Sequence, residues 1–189
     1  MKLGIVSDSH GDTNALDMML AHPEAQDVEG WFFAGDIAMD AEYLAMVTQL
    51  PVAKVAGNND WPYTTLKDAI VTEAGGHRIL LTHGHLYGVQ FSTEMLVQVA
   101  EAQQADIAIY GHTHVADIQP GEVTVLNPGS IARPRDAAKG SFMVAELQAD
   151  CEPVVKLYGY KYFKFCNNPA IKKTNFFFTK IKITAGIFP

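Results

Sequence analysis

Cysteine is scarce in this chain. There are two in 189 residues: Cys151 and Cys166, both late in the chain and without metal-type spacing or a redox motif. They supply neither a disulfide framework nor a thiolate site. No stretch approaches the roughly 18 consecutive apolar residues of a membrane span. The opening apolar run, Leu3 to Val6, is too short for a signal peptide and is soon followed by Asp8. The cytoplasm is therefore the expected compartment, with no membrane partner. Basic residues are also in deficit, 14 Lys and Arg against 21 Asp and Glu for a net charge of −7. The deficit lies in residues 1–150, which carry 7 basic and 20 acidic side chains, whereas residues 151–189 carry 7 and 1. A body this acidic does not suit duplex nucleic acid on its general surface. An anionic substrate needs a local positive charge there, and bound metal can supply one. Gly-x-Ser-x-Gly and P-loop patterns are missing as well, which removes the commonest serine and nucleotide chemistries.

What remains is an ordinary core composition, 48% hydrophobic, enough for one domain with two small ones as the alternative. Short apolar runs read as strands at Leu3–Val6, Trp31–Ala34, Val52–Ala56, Arg78–Thr82 and Asp106–Tyr110. Helical patterns fall between the first three. One is capped by Asp12 or Thr13, with Leu16, Met19 and Leu20 on one face. Another runs over Ala41–Leu50 with Tyr43, Val47 and Leu50 on one face. The alternation implies parallel strands with helical crossovers. A hairpin with the Gly75-Gly76 turn follows, then a helix from about Ser92 to Ala102 with Met95, Leu96 and Val99 as its buried stripe. Short strands near Ala116–Gln119, Val123–Leu126, Ser141–Leu147 and Val154–Tyr158, with Pro-Gly turns, suggest a second sheet packed on the first.

Five polar clusters each sit just after an apolar strand: Asp8/His10, Asp36, Asn58, His83/His85 and His112/His114. Ligands of open α/β sheets collect outside the carboxyl ends of strands. Asp, Asn and His offer oxygen and imidazole donors to divalent metals. Glycine stands beside every cluster, and five of the seven histidines fall within them. Each residue alone more often caps a turn or packs in a core; together they point to a metal site.

As an ordered series, Asp8-x-His10, Gly35-Asp36, Gly57-Asn58-Asn59-Asp60, His83-Gly84-His85 and Gly111-His112-x-His114 resemble the motifs of the calcineurin-like metallophosphoesterases, in particular the small single-domain bacterial and archaeal phosphodiesterases. The resemblance runs from Met1 to about Tyr158, taken as the domain, with residues 159–189 as a basic, aromatic extension. It implies an α/β fold, a four-layer α-β-β-α sandwich with two packed mixed sheets flanked by helices. It also implies two divalent ions, manganese first, with nickel, zinc, iron, cobalt and magnesium open. Asp8, His10, Asp36 and His114 would hold one ion; Asp36 would bridge to the other, held also by Asn58, His83 and His112. A hydroxide between ions roughly 3.5–4 Å apart would attack phosphorus in line. Two such ions bring four positive charges against two negative ones from Asp8 and Asp36, which leaves an attraction for phosphate.

The series departs from many relatives at Asn59, where they carry a histidine; an amide cannot act as a general acid near neutral pH. Asn59 and His85 are the candidate substrate contacts, and His85 has an alternative role in fixing its own loop. Asn127-Pro128-Gly129-Ser130 reads as structural, and Asp60 as a loop-orienting residue. Arg133 and Arg135 read first as a solvated basic loop, with reach to the substrate as the alternative; Trp61 reads as packing or pocket lining, and His22 and His77 as surface residues. The expected function is a phosphodiesterase acting on a small phosphate ester. Rival expectations are a protein-binding scaffold, as in the related retromer subunit, and a phosphomonoesterase or nucleotide pyrophosphohydrolase. In the extension, Phe176–Ile183 reads as a strand packing on the body or on a second copy in a homo-oligomer; a read-through end and a nucleic-acid patch are the alternatives.

Overall fold

The computed structural model describes residues 1–60, 64–136 and 139–161. Strands β1 (Lys2–Val6), β2 (Gly30–Phe33) and β3 (Val52–Lys54) are parallel neighbours. The antiparallel pair β9 (Lys139–Glu146) and β10 (Val154–Lys161) completes their sheet in the order β10-β9-β1-β2-β3. The second sheet has the order β4-β5-β6-β8-β7. It contains β4 (Ala69–Ala74), β5 (His77–Thr82), β6 (Ile107–Ile109), β7 (Ala116–Gln119) and β8 (Thr124–Pro128), of which β5, β6 and β8 run parallel.

The layering follows from side-chain alternation with period two. Leu3 and Ile5 of β1 and Phe32 of β2 meet Ile79, Leu81, Ile107, Ile109 and Leu126 in the core between the sheets. The intervening residues Val6, Trp31 and Phe33 face outward, under Leu16 and Met19 of helix α1 (Thr13–Leu20) and Ala41 and Leu44 of helix α3 (Ala38–Thr48). The short helix α2 (Pro23–Gln26) adds Ala25 to this layer. On the far side Leu80, Ala108 and Val125 pack under Leu96 and Ala100 of helix α4 (Glu94–Ala102). The result is the expected α-β-β-α sandwich. Gly4 shows how tightly one layer is fitted, because a Cβ there would stand 2.3 Å from the Trp31 ring.

Several local expectations are corrected. Helix α3 begins at Ala38 and buries Asp40, Ala41 and Leu44, while Val47 is exposed. Helix α4 buries Leu96 and Ala100 and leaves Met95 exposed. In both cases an amphipathic pattern admitted two neighbouring stripes, and the position of the underlying sheet selected one. His77 is buried, not on the surface: Nδ1 lies 2.6 Å from Asp106 Oδ2 and Nε2 3.2 Å from the Gln148 carbonyl. His22 is half-buried, its ring against Phe142 and Tyr158 and its Nδ1 accepting from Glu24 N. Strand β10 continues to Lys161, past Tyr158. Trp61, Cys166 and the proposed strand Phe176–Ile183 lie outside the described residues.

Candidate metal centre

Each cluster singled out in the sequence leaves the carboxyl end of a strand: Asp8 and His10 after β1, Asp36 after β2, Asn58 after β3, His83 and His85 after β5, His112 and His114 after β6. Because β1–β3 are parallel in one sheet and β5 and β6 in the other, their loops open along common edges. Those edges meet. His83 Nδ1 donates to the Ala34 carbonyl (2.7 Å), and the His112 amide donates to Asp8 Oδ2 (3.0 Å).

The first convergence consists of Asp8, His10 and His114. His114 Nε2 stands 3.2 Å from Asp8 Oδ1 and 3.0 Å from His10 Nε2. His10 Nδ1 lies 2.7 Å from Asp36 Oδ2. The second convergence contains Asp8, Asp36 and His83, with Asn58 Oδ1 2.9 Å from His83 Nε2 and 3.0 Å from His112 Nδ1. Asp8 belongs to both groups, while Asp36 belongs to one and touches a histidine of the other.

Two tests show that these residues suit cations. Asp8 Oδ1 and Asp36 Oδ2 are buried, both residues only 1% exposed, and each faces a ring nitrogen, His114 Nε2 at 3.2 Å and His10 Nδ1 at 2.7 Å. Two carboxylates buried this close together are costly unless something positive meets them. The histidines are also oriented for the task. His83 Nδ1–H is committed to Ala34 O, and His114 Nδ1–H to Arg133 O at 2.8 Å. His83 therefore presents its Nε2 lone pair inward against Asn58 Oδ1, an arrangement that a cation relieves, and His114 turns its Nε2 towards Asp8 Oδ1.

Protonation states agree. Burial pushes His83, His10 and His112 below the ordinary imidazole value, so they are neutral donors near pH 7. Burial raises the Asp8 carboxyl, but neighbouring His114 and His83 and the Ser7 hydroxyl outweigh it and hold it below its usual value. His114 is raised in turn by Asp8. Burial, then the charge of Asp8, lifts Asp36 to about 6. Metal requires the ionised carboxylate of Asp36 and the neutral imidazole of His114, whose proton Asp8 holds more tightly than usual, so protons compete with it at both groups. Calorimetric titration with Mn²⁺ is expected to show affinity falling steadily as the pH is lowered from about 8 to about 5. Affinity independent of pH across that interval would contradict the assignment.

The backbone is strained where the chemistry lies. Asp8, His10, Asp36, His112 and His114 all have positive φ, from 50° at His10 to 102° at Asp36. Non-glycine residues persist in such conformations only where their surroundings over-determine them. Gly57 is required on different grounds: a Cβ there would meet the Asp36 backbone at 2.1 Å. Among residues the sequence did not single out, buried Asp40 accepts from Ser9 Oγ (2.5 Å) and Gly11 N (2.8 Å), fixing the loop that carries His10. Ser7 Oγ donates to Asp8 Oδ2 (2.6 Å).

Asp60 anchors its loop, accepting from Gly57 N and Ala38 N. Asn127 holds Gly111 O and Thr113 Oγ1, and Ser130 Oγ donates to Asp8 O (2.7 Å), so that segment is structural at the site. The Asn59 amide donates to Asp36 Oδ1. His85 is half-buried, its ring 5.5 Å from that of His83 and its Nδ1 without a hydrogen-bond partner. Above the centre lies a cavity of about 260 Å³ lined by His10, Asp36, Asn58, His112, His114, Arg133 and Arg135. Both arginines are exposed, as a solvated loop requires, and both also line the cavity, because the backbone of their loop is hydrogen-bonded to His114.

Comparison with known proteins agrees with this geometry. A family model described as the calcineurin-like phosphoesterase superfamily domain matches residues 1–150. Over 156 residues the chain is 33% identical to the probable metallophosphoesterase YsnB of Bacillus subtilis, covering 82% of this chain and 89% of that protein. Over 167 residues it is 29% identical to the phosphodiesterase YfcE of Escherichia coli K12, covering 75% and 85% respectively. The crystal structure of Vps29 from Entamoeba histolytica, complexed with zinc, has a TM-score of 0.65 at 22% identity, over 84% of this chain and 99% of that one. That last likeness is one of fold.

Proposed function

We propose, on the premise that the chain belongs to the calcineurin-like phosphoesterase superfamily, that it is a metal-dependent phosphodiesterase. The observation that carries this reading is the convergence of Asp8, His10, Asp36, Asn58, His83, His112 and His114 around two buried carboxylates. Asp8, His10 and His114 would hold one divalent ion and Asn58, His83 and His112 the other. Asp36, lying between the two groups, would touch both. Manganese is the first choice, and mixed oxygen and nitrogen ligation also suits nickel, zinc, iron, cobalt or magnesium. Such a pair, when bound, lowers the pKa of water and clamps phosphate oxygens through an in-line displacement.

The protein's own groups do the rest. Asp40 and Ser7 hold His10 and Asp8 in place, and Asn59 fixes Asp36. The His83 and His114 tautomers are set by the carbonyls of Ala34 and Arg133. His85 would donate to phosphate or support His83. A scaffold role rests on the fold likeness to Vps29 alone, and the intact donor set weighs against it.

Protein stripped of metal and refilled with Mn²⁺, Ni²⁺, Zn²⁺ or Mg²⁺ is expected to hydrolyse aryl phosphodiesters in preference to aryl phosphomonoesters. Preference for monoesters would move the protein to another phosphoesterase class. No hydrolysis with any of these ions would favour the scaffold.

A further inference from the structure

The cavity over the metal centre has two cationic walls that the proposed chemistry does not use. Arg133 and Arg135 both line it. Neither has an ion-pair partner among the described residues, although the chain carries 21 carboxylic side chains. The nearest carboxylate in sequence, Asp136, is engaged by the Ala116 amide at 2.7 Å. The backbone that carries the two arginines is fixed by the site itself. Arg133 N donates to Ser130 Oγ (2.6 Å), Arg133 O accepts from His114 Nδ1, and Arg135 N donates to His114 O (3.0 Å). Ser130 Oγ in turn donates to Asp8 O. The charge of Arg135 reaches His112, His10 and His114, and that of Arg133 reaches His10.

Two exposed guanidinium groups without carboxylate partners, registered to the metal ligands through two backbone bonds, have the character of an anion-recognition device. A simple diester carries one negative charge, and the metal pair already meets it. Two further fixed positive charges on the same cavity leave room for another anion. The cavity, about 260 Å³ and open to solvent, has its metal-ligand wall of His10, Asp36, Asn58, His112 and His114 and its arginine wall within the span of one small substrate.

Resting on the phosphodiesterase reading, we propose that Arg133 and Arg135 form a clamp for a second anionic group on the substrate, a terminal phosphate-like group carried on one arm of the scissile diester. The preferred substrate is then a small diester with an additional phosphate, which lies against the guanidinium fork while the scissile phosphorus sits over the metal centre.

The test uses two p-nitrophenyl phosphodiesters on metal-loaded protein, one whose second arm is phenyl and one whose second arm is phenyl bearing a phosphonate. Wild type is expected to favour the phosphonate-bearing substrate in kcat/KM by about tenfold or more, the worth of a charge-assisted hydrogen bond. The advantage should reside mainly in KM. In Arg133→Gln/Arg135→Gln it should shrink towards unity, and Arg133→Lys/Arg135→Lys should restore part of it. Both sites are exposed and their structural bonds are made by backbone, so the variants should fold; metal content checks that the centre survives. Calorimetry gives a readout independent of turnover, with 1,4-phenylenediphosphonate expected to bind wild type more tightly than phenylphosphonate and the Gln variant to lose the difference. No preference in wild type, or a preference retained by the Gln variant, overturns the clamp. If wild type binds the bisphosphonate through the arginines yet hydrolyses neither ester, the clamp stands and the esterase reading falls.

Discussion

Asp36→Asn is expected to reduce phosphodiester turnover by about 10³-fold or more while leaving the sandwich folded. Loss of a single preorganised electrostatic group costs about 10²–10³ in kcat, and Asp36 would touch both ions. The substitution is nearly isosteric. The new amide oxygen can still accept from Asn59 Nδ2, as Asp36 Oδ1 does, so the loss reports charge and ligation. The metal-free variant should also behave in a way that a merely damaged protein would not. Asp36 has a folded-state pKa raised to about 6 from 3.8. Its contribution to stability is therefore present while it is protonated, below its unfolded value, and is lost as the pH rises through about 6. Above that point the wild-type apoprotein holds a buried carboxylate whose desolvation and repulsion by Asp8 outweigh its favourable partners. Metal-free Asp36→Asn is thus expected to melt above metal-free wild type at about pH 8, with the advantage gone near pH 4. Thermal melts of the two apoproteins at both pH values, beside an aryl diester assay, check both halves. Full turnover in the variant would place the active centre elsewhere.

Alkyl phosphodiesters are expected to turn over about 10²–10⁴-fold more slowly than aryl ones, the contribution of a positioned general acid that is lacking here. An aryl oxide leaves unaided, whereas an alkoxide needs a proton. Asn59 cannot give one near neutral pH, and its amide is spent on Asp36. The other nearby candidates are poorly charged: burial holds His85 and His112 below the ordinary imidazole pKa. A series of diesters with graded leaving-group acidity should give a steep dependence of kcat/KM. A flat dependence would sink the prediction and point to a hidden acid. His85→Gln then becomes informative. A loss concentrated on alkyl substrates would identify His85 as that acid, while an equal loss on all substrates would mean that it supports the neighbouring His83 ring.

Much of this molecule was legible in one dimension because its determinants are local. A strand of alternating or continuous apolar residues ends where a chemistry-bearing residue begins, five times over, and parallel pairing sends those ends the same way. The clusters Asp8/His10, Asp36, Asn58, His83/His85 and His112/His114 could therefore be named before any coordinate, and the resemblance of their order to a family singled out the ligands among them. The helix faces could not be read as well. Over Ala38–Thr48 small and apolar residues recur at several spacings, and only contact with the sheet selected Ala41 and Leu44; over Glu94–Ala102 the apolar pattern identified Leu96 correctly, and the sheet added Ala100 and left Met95 outside. His77 was misjudged because its partners, Asp106 and Gln148, are 29 and 71 residues away.

The sequence by itself determined the order of elements and the five polar clusters at strand ends, since strand periodicity and cluster position depend on near neighbours along the chain; the four-layer sandwich and the choice of ligands within the clusters followed from the resemblance of the ordered motifs to a family. Tertiary structure alone decided the positive φ of five site residues, the burial of Asp8 and Asp36 against His114 and His10, the raised pKa of Asp36 and the turn of Arg133 and Arg135 over the cavity. Each of these depends on which distant groups share a small, poorly hydrated space, and electrostatic cost in such a space is set by three-dimensional neighbours.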